Sequence, residues 1–151
     1  MRSIEAIESW IEDWSLREGA ADGAAAPMAF LLAGEEILEH WLLAHGQQPT
    51  ADKKEGFRLL ALHRQAAKGD PAFNACRETC REACYRYNLA QTDLPREEWQ
   101  ANLATLRRVV QHLAYFIGGK MRNAQLGEFC CSSRPIRNEA AEAAMEGEGT
   151  Q

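Results

Sequence analysis

Apolar residues recur every three or four positions along most of this chain, the period of an α-helix with one buried face. Ile4, Ile7, Ile11 and Trp14 predict a first helix over about residues 3–18, with Gly19 as its stop. A linker of small residues, AADGAAA, follows. A second helix is expected from Pro27, a favoured first helical position, to Gly46, with Met28, Leu31, Leu38, Trp41 and Leu42 on its apolar side. The third is read over about residues 51–68, turning Phe57, Leu60 and Ala61 inward and stopping at Gly69. Asp70-Pro71, a side-chain cap followed by proline, predicts a fourth helix through about Asn88. The fifth begins near Pro95 and carries Trp99, Leu103, Leu106, Val110, Leu113 and Ile117, the clearest core stripe in the chain. Gly118-Gly119 is expected to end or kink it.

These elements predict an all-α fold, a compact bundle of four to five amphipathic helices with short connections. Residues 1–126 read as a single helical-bundle domain, in which the linker leaves helix one room to pack peripherally. Residues 127–151 turn polar and close on EAAEAAMEGEGTQ, expected to be a flexible acidic tail, partly disordered. Neither a convincing strand nor an internal repeat is evident.

Composition changes this picture little. With 151 residues, 46% of them apolar and 26% charged, the chain is long enough to bury a core without staples. MRSIEAIESW carries acids where a targeting segment would need an apolar core, and the weakly polar run over residues 23–34 is too short to span a bilayer. The expectation is a cytoplasmic protein with no membrane contact and reduced thiols. Charge adds more. The net charge of −5 argues against nucleic acid as a partner. Residues 71–137 nevertheless hold ten bases and six acids, a local +4, whereas residues 138–151 hold four glutamates and no base. A basic middle can face an acidic protein surface, though mixed charge on helices is ordinarily a solvated face. On the fourth helix, Glu78–Arg81 and Glu82–Arg86 are spaced to pair, each for a few tenths of a kcal/mol.

Chemistry enters with the cysteines. Cys76, Cys80 and Cys84 stand four residues apart in FNACRETCREACYRYN, which on an α-helix places them on one stripe. Phe73, Cys76, Cys80, Ala83 and Tyr87 alternate in steps of three and four, so the thiols can simply be core, where free cysteine packs as a small hydrophobe. The competing reading is a soft metal or iron–sulfur contact, or thiol redox chemistry: thiolates at i and i+4 can share one Zn(II) or Cu(I). Further ligands would have to come from Cys130, Cys131 or a histidine. A disulfide between helical i,i+4 cysteines needs local unwinding, because their Cβ atoms sit about 5–6 Å apart and a relaxed bridge needs roughly 3.5–4.5 Å. Five cysteines is an odd number, unlike a closed disulfide framework.

Other sites are poorly supported by the residues. A di-iron bundle wants Glu-x-x-His on two helices, and this chain has none; Glu36 and His40 make only a lone i,i+4 pair. His45, just before Gly46, suits a helix C-terminus, and His63 and His112 read as partly buried core histidines. No haem attachment, phosphate loop, nucleophile elbow or zinc-protease motif is present. The expectation is therefore a protein that is not an enzyme, with no catalytic residues and no cofactor beyond the soft-metal alternative. Phe129, Cys130, Cys131, Arg134 and Arg137, in the turn-like segment GEFCCSSRPIR, are candidate partner-binding residues.

The stretches GEEILEHWLLAHG, EGFRLLALHRQ and GDPAFNACRETCREACYRYNL, over about residues 34–89, resemble small accessory proteins encoded among bacterial nitrogen-fixation genes. The resemblance implies a nitrogenase-associated factor that binds the molybdenum–iron component or its assembly intermediates, for protection or maturation. It carries over no catalytic residue. The alternative function is a thiol-based metal or iron–sulfur carrier, or a redox sensor, working through Cys76, Cys80 and Cys84.

Overall fold

The structure, a computed structural model, describes residues 1–14 and 23–124. Among them are five α-helices and no strand: α1 (Ile4–Asp13), α2 (Ala26–Ala44), α3 (Arg58–Gly69), α4 (Arg77–Ala90) and α5 (Arg96–Asn123). Short 3₁₀ turns, Gly23–Ala25 and Pro71–Cys76, precede α2 and α4. The all-α expectation holds. No helix among the described residues is long and apolar enough to cross a membrane. By contact the chain divides into Met1–Ile117 and Gly118–Gln151. In the second unit the described residues are the last turns of α5, where Ala124 N–H donates to Lys120 O at 3.0 Å. The first unit holds everything that follows.

α2 is its central element. Ala33, Gly34, Ile37, Leu38 and Leu42 are buried on several sides of it, because α1, α3 and α4 all pack against it. Gly34 permits a close approach: a Cβ there would lie 3.3 Å from Leu59 Cδ1 on α3 and 3.6 Å from Leu113 Cδ2 on α5. Of the predicted stripes, Ile4, Ile7 and Ile11 and Leu103, Leu106, Val110, Leu113 and Ile117 are buried, while Trp14 and Trp99, one at the end of each, are half-buried. Met28, expected on the apolar side of α2, is instead 43% exposed, since it shares the outer face of the helix with Leu32, four residues on and 50% exposed, while Pro27, Phe30 and Leu31 turn inward.

Several boundaries differ from expectation, each for a local reason. α1 ends at Asp13 rather than near residue 18, with Ser3 Oγ capping its start and Arg107 closing its end: Nε donates to Ile11 O (2.7 Å) and Nη2 to Glu12 O (2.8 Å). The third helix begins at Arg58, not near residue 51. Lys54 and Phe57 pair their backbones at 2.9 and 3.0 Å around a two-residue turn, with φ of 55° at Glu55 and 87° at Gly56. Glycine accepts that conformation freely and glutamate does not. Glu55 is held there by Arg81, whose two nitrogens reach its carboxylate at 2.9 and 3.2 Å. Phe57 is consequently half-buried, facing Tyr87 edge-on at 6.0 Å.

The expected fourth helix is two segments. Asp70 Oδ1 accepts from Ala72 N–H at 3.0 Å and Asp70 O from Phe73 N–H at 3.0 Å, so the turn after Pro71 runs i→i+3. α-helical bonding takes over at Arg77. Gly118-Gly119 neither ends nor interrupts α5, which continues to Asn123. Of the two anticipated ion pairs, Arg86–Glu82 forms at 2.7 Å, while Arg81 takes Glu55 in place of Glu78.

Candidate functional site

The three cysteines are free thiols and all face inward: Cys76 is 2% exposed, Cys80 0% and Cys84 5%. They do not lie on one continuous α-helix. Cys76 ends the 3₁₀ turn with φ −105° and ψ 14°, whereas Cys80 and Cys84 belong to α4. No group of three or more His, Cys, Asp or Glu side chains among the described residues is arranged to hold a metal ion.

Around Cys76 the sequence gathers a polar cluster inside the core. His63, on α3, falls three residues after Leu60 and four after Leu59, so it shares their buried face. Its Nε2–H donates to Phe73 O at 2.7 Å, and the Cys76 thiol donates to the same carbonyl at 3.3 Å. Phe73 itself is pinned by ring contacts to Trp41 (4.8 Å) and Phe116 (5.9 Å), which fixes where its carbonyl points. Because that oxygen can only accept, His63 carries its proton on Nε2, and Nδ1 is the open nitrogen of the neutral ring.

The acidities of the cluster follow. The Cys80 thiol donates to the Cys76 sulfur and His63 lies within hydrogen-bonding reach of it; against the opposing effect of burial, these partners hold Cys76 down, to about 5. Cys80 is pushed well above the usual thiol range, first because its proton is engaged by Cys76 and then by burial. Burial works against a charged His63 ring, but the Cys76 sulfur and the Phe73 carbonyl outweigh it and raise the imidazole. Cys84, further along and without such partners, is driven by burial to about 12. The cluster thus has two proton arrangements of equal total charge. In one, a neutral thiol donates to Phe73 O beside a neutral ring; in the other, a thiolate receiving the Cys80 proton faces an imidazolium.

His63 also forms part of the wall of an open groove of about 360 Å³. Four cations line that groove, Lys54, Arg64, Arg77 and Arg81, together with Asn74. Arg81 is committed to Glu55 at 2.9 Å. Among the described residues the Arg64 and Arg77 side chains show no hydrogen bond or close ion pair, although Arg77 lies within electrostatic reach of Glu55. An adjoining hollow of about 380 Å³ extends the basic surface with Lys53 and Lys68, against Asp52. Charge counting along the sequence placed the basic region later in the chain; four of the six cations of this surface, Lys53, Lys54, Arg64 and Lys68, come from α3 and the segment before it.

Elsewhere, a second buried charge group escaped the sequence reading. Glu35 is buried on α2, with Arg58 Nη1 3.5 Å from its Oε1; Arg58 also pairs with Glu39 and donates from Nε to Thr50 O at 2.8 Å. Glu36 and His40 do not form a ligand pair: Glu36 accepts from Arg2 Nη2 at 3.0 Å, and His40 Nε2 donates to Arg2 O. His45 closes α2 as expected, its Nδ1–H donating to Trp41 O at 2.9 Å. His112 is exposed, contrary to expectation, because it follows Gln111 onto the outer side of α5. Phe129, Cys130, Cys131, Arg134 and Arg137, like the acidic tail, lie outside the described residues. Compared with the profiles of known protein families, with curated proteins and with solved structures, the chain matches none.

Proposed function

We propose that this protein is a non-enzymatic accessory factor that docks an acidic face of a partner protein onto the basic surface of α3, α4 and the turn at residues 54–57. The observation that carries the reading is the convergence of Lys54, Arg64, Arg77 and Arg81 on one groove, where Glu55 is the acid that answers them through Arg81 and, more weakly, Arg77. Cations gathered on one groove repel one another, so a partner carboxylate or phosphate neutralises an existing cost as well as adding attraction. The resemblance of residues 34–89 to nitrogen-fixation accessory proteins points to the molybdenum–iron component of nitrogenase as that partner, bound for protection or maturation.

Titration of the purified molybdenum–iron component tests both parts. A complex that weakens steeply with salt, and at least about ten-fold in the R64E/R77E double variant, supports the surface. No complex at low salt removes nitrogenase as the partner. Unchanged affinity in R64E/R77E removes the surface, and if R134E/R137E alone abolishes binding, the 129–137 segment is the grip instead. Tighter binding to duplex nucleic acid than to acidic protein would overturn the protein-docking reading. A thiol carrier is the second reading. Burial of Cys80 and Cys84 favours packing for those two, and the pairing of Cys76 with His63 favours reactivity for the remaining one.

A further inference from the structure

We infer that Cys76 is a modification site for a small electrophile of the hydroperoxide class, with His63 as its proton acceptor and the Pro71–Cys76 turn as the element that opens to admit the reagent. Three observations converge on it. First, Cys76 and His63 meet on one carbonyl, Phe73 O, at 3.3 and 2.7 Å. The arrangement joins a thiol, a base with one free nitrogen and a fixed orienting acceptor, the parts an activated sulfur nucleophile requires. Second, Cys80 is one turn further on and wholly enclosed, a donor for the sulfur anion once it forms. Third, Cys76 terminates a six-residue 3₁₀ turn. Runs of that length are uncommon, bond less well than α-helix and recur at hinges. Pro71, Ala72, Asn74 and Ala75 in this turn are exposed, so Phe73 and Cys76 alone anchor it inward.

Cys76 is enclosed, 2% exposed, so the turn has to open before a reagent reaches the sulfur. In the step itself, the Cys76 thiol proton passes to the His63 ring and the thiolate attacks one peroxide oxygen. The S–O bond forms as the O–O bond breaks. The departing hydroxide takes that proton back from the imidazolium and leaves as water (as an alcohol from an organic peroxide). Sulfur loses two electrons to the peroxide, and Cys76 becomes a sulfenic acid that a thiol reductant returns to thiol.

Labelling the reduced full-length protein with iodoacetamide at pH 5–9, and trapping hydrogen peroxide products with dimedone, gives a rate for each cysteine by peptide mass spectrometry. Cys76 should react at least about ten-fold faster than Cys80 or Cys84, with a rate that is already level near neutral pH. His63→Gln should move that levelling upward by about one pH unit or more while leaving the Cys80-to-Cys84 ratio unchanged. Two results overturn the inference: Cys76 labelled no faster than its neighbours, or all three thiols labelled together only as the protein unfolds. A His63→Gln profile superimposing on the wild type removes His63 from the role. Should the His63→Gln variant not fold, the wild-type ranking of the three thiols still decides.

Discussion

Phe73 O accepts from both a thiol and an imidazole, and its own ring is clasped between Trp41 and Phe116. A carbonyl so fixed makes the position of Cys76 a consequence of aromatic packing around Phe73. Cys80 fills space in the core besides donating to the Cys76 sulfur. Cys80→Ala should lower stability by about 1 kcal/mol or somewhat more, read from the urea midpoint, while partner binding is unchanged. A lost partner interaction with intact stability would make Cys80 functional. Glu35 offers a test by pH. Burial raises its carboxyl above the ordinary 4.5 despite the opposing pull of Arg58. The folded state therefore keeps that proton to higher pH than the unfolded chain does. Its contribution is complete below the unfolded value and is withdrawn as pH climbs through the folded one. Glu35→Gln should accordingly gain on the wild type between pH 4 and pH 7 in denaturant titrations, and a constant offset would refute the assignment. Little at this scale was readable in advance. His63 and Cys76 are thirteen positions apart, and their meeting depends on how α3 packs beside the turn; only the placement of His63 on the Leu59–Leu60 face signalled its burial.

Helices were far more legible than their ends. The apolar stripes of α1 and α5, spaced at three and four residues, are buried, since that periodicity is itself the geometry of burial. The start of α3 was misjudged because Gly56 reads equally well as a tolerated residue within a helix or as a turn. What decides between them is the reach of Arg81 from α4 to Glu55, a contact no local window contains. The 3₁₀ turn was hidden similarly: Asp70-Pro71 announces a helix start without saying which hydrogen-bonding pattern follows. Gly34, unremarked in the sequence, sets how closely α2 meets α3 and α5. Gly34→Leu should force Leu59 and Leu113 apart and cost about 1–3 kcal/mol, visible as a lowered melting temperature with helical content retained. An unaltered melting temperature would mean the helices separate there at no cost.

At the scale of the first unit, the basic groove and the thiol cluster share a wall through His63. The outer surface offers charge to a partner, while the inner side holds a sulfur whose protonation that charge can bias. A docked anion over Arg77 would relieve the cation's pressure against a charged imidazole. Binding of an acidic partner should therefore change the iodoacetamide rate of Cys76 and not that of Cys84; equal responses would separate the two features. The clasp of Arg107 on the end of α1 has a different reach, spanning 95 and 96 residues of chain. Arg107→Ala should speed hydrogen exchange at the Ile7 and Ile11 amides ahead of those in α2. Synthesis from the N-terminus gives that clasp a temporal meaning. At about 5–20 residues per second, the last carbonyls of α1 wait roughly 5–20 s for the arginine that covers them, so this helix is finished only once α5 is being made.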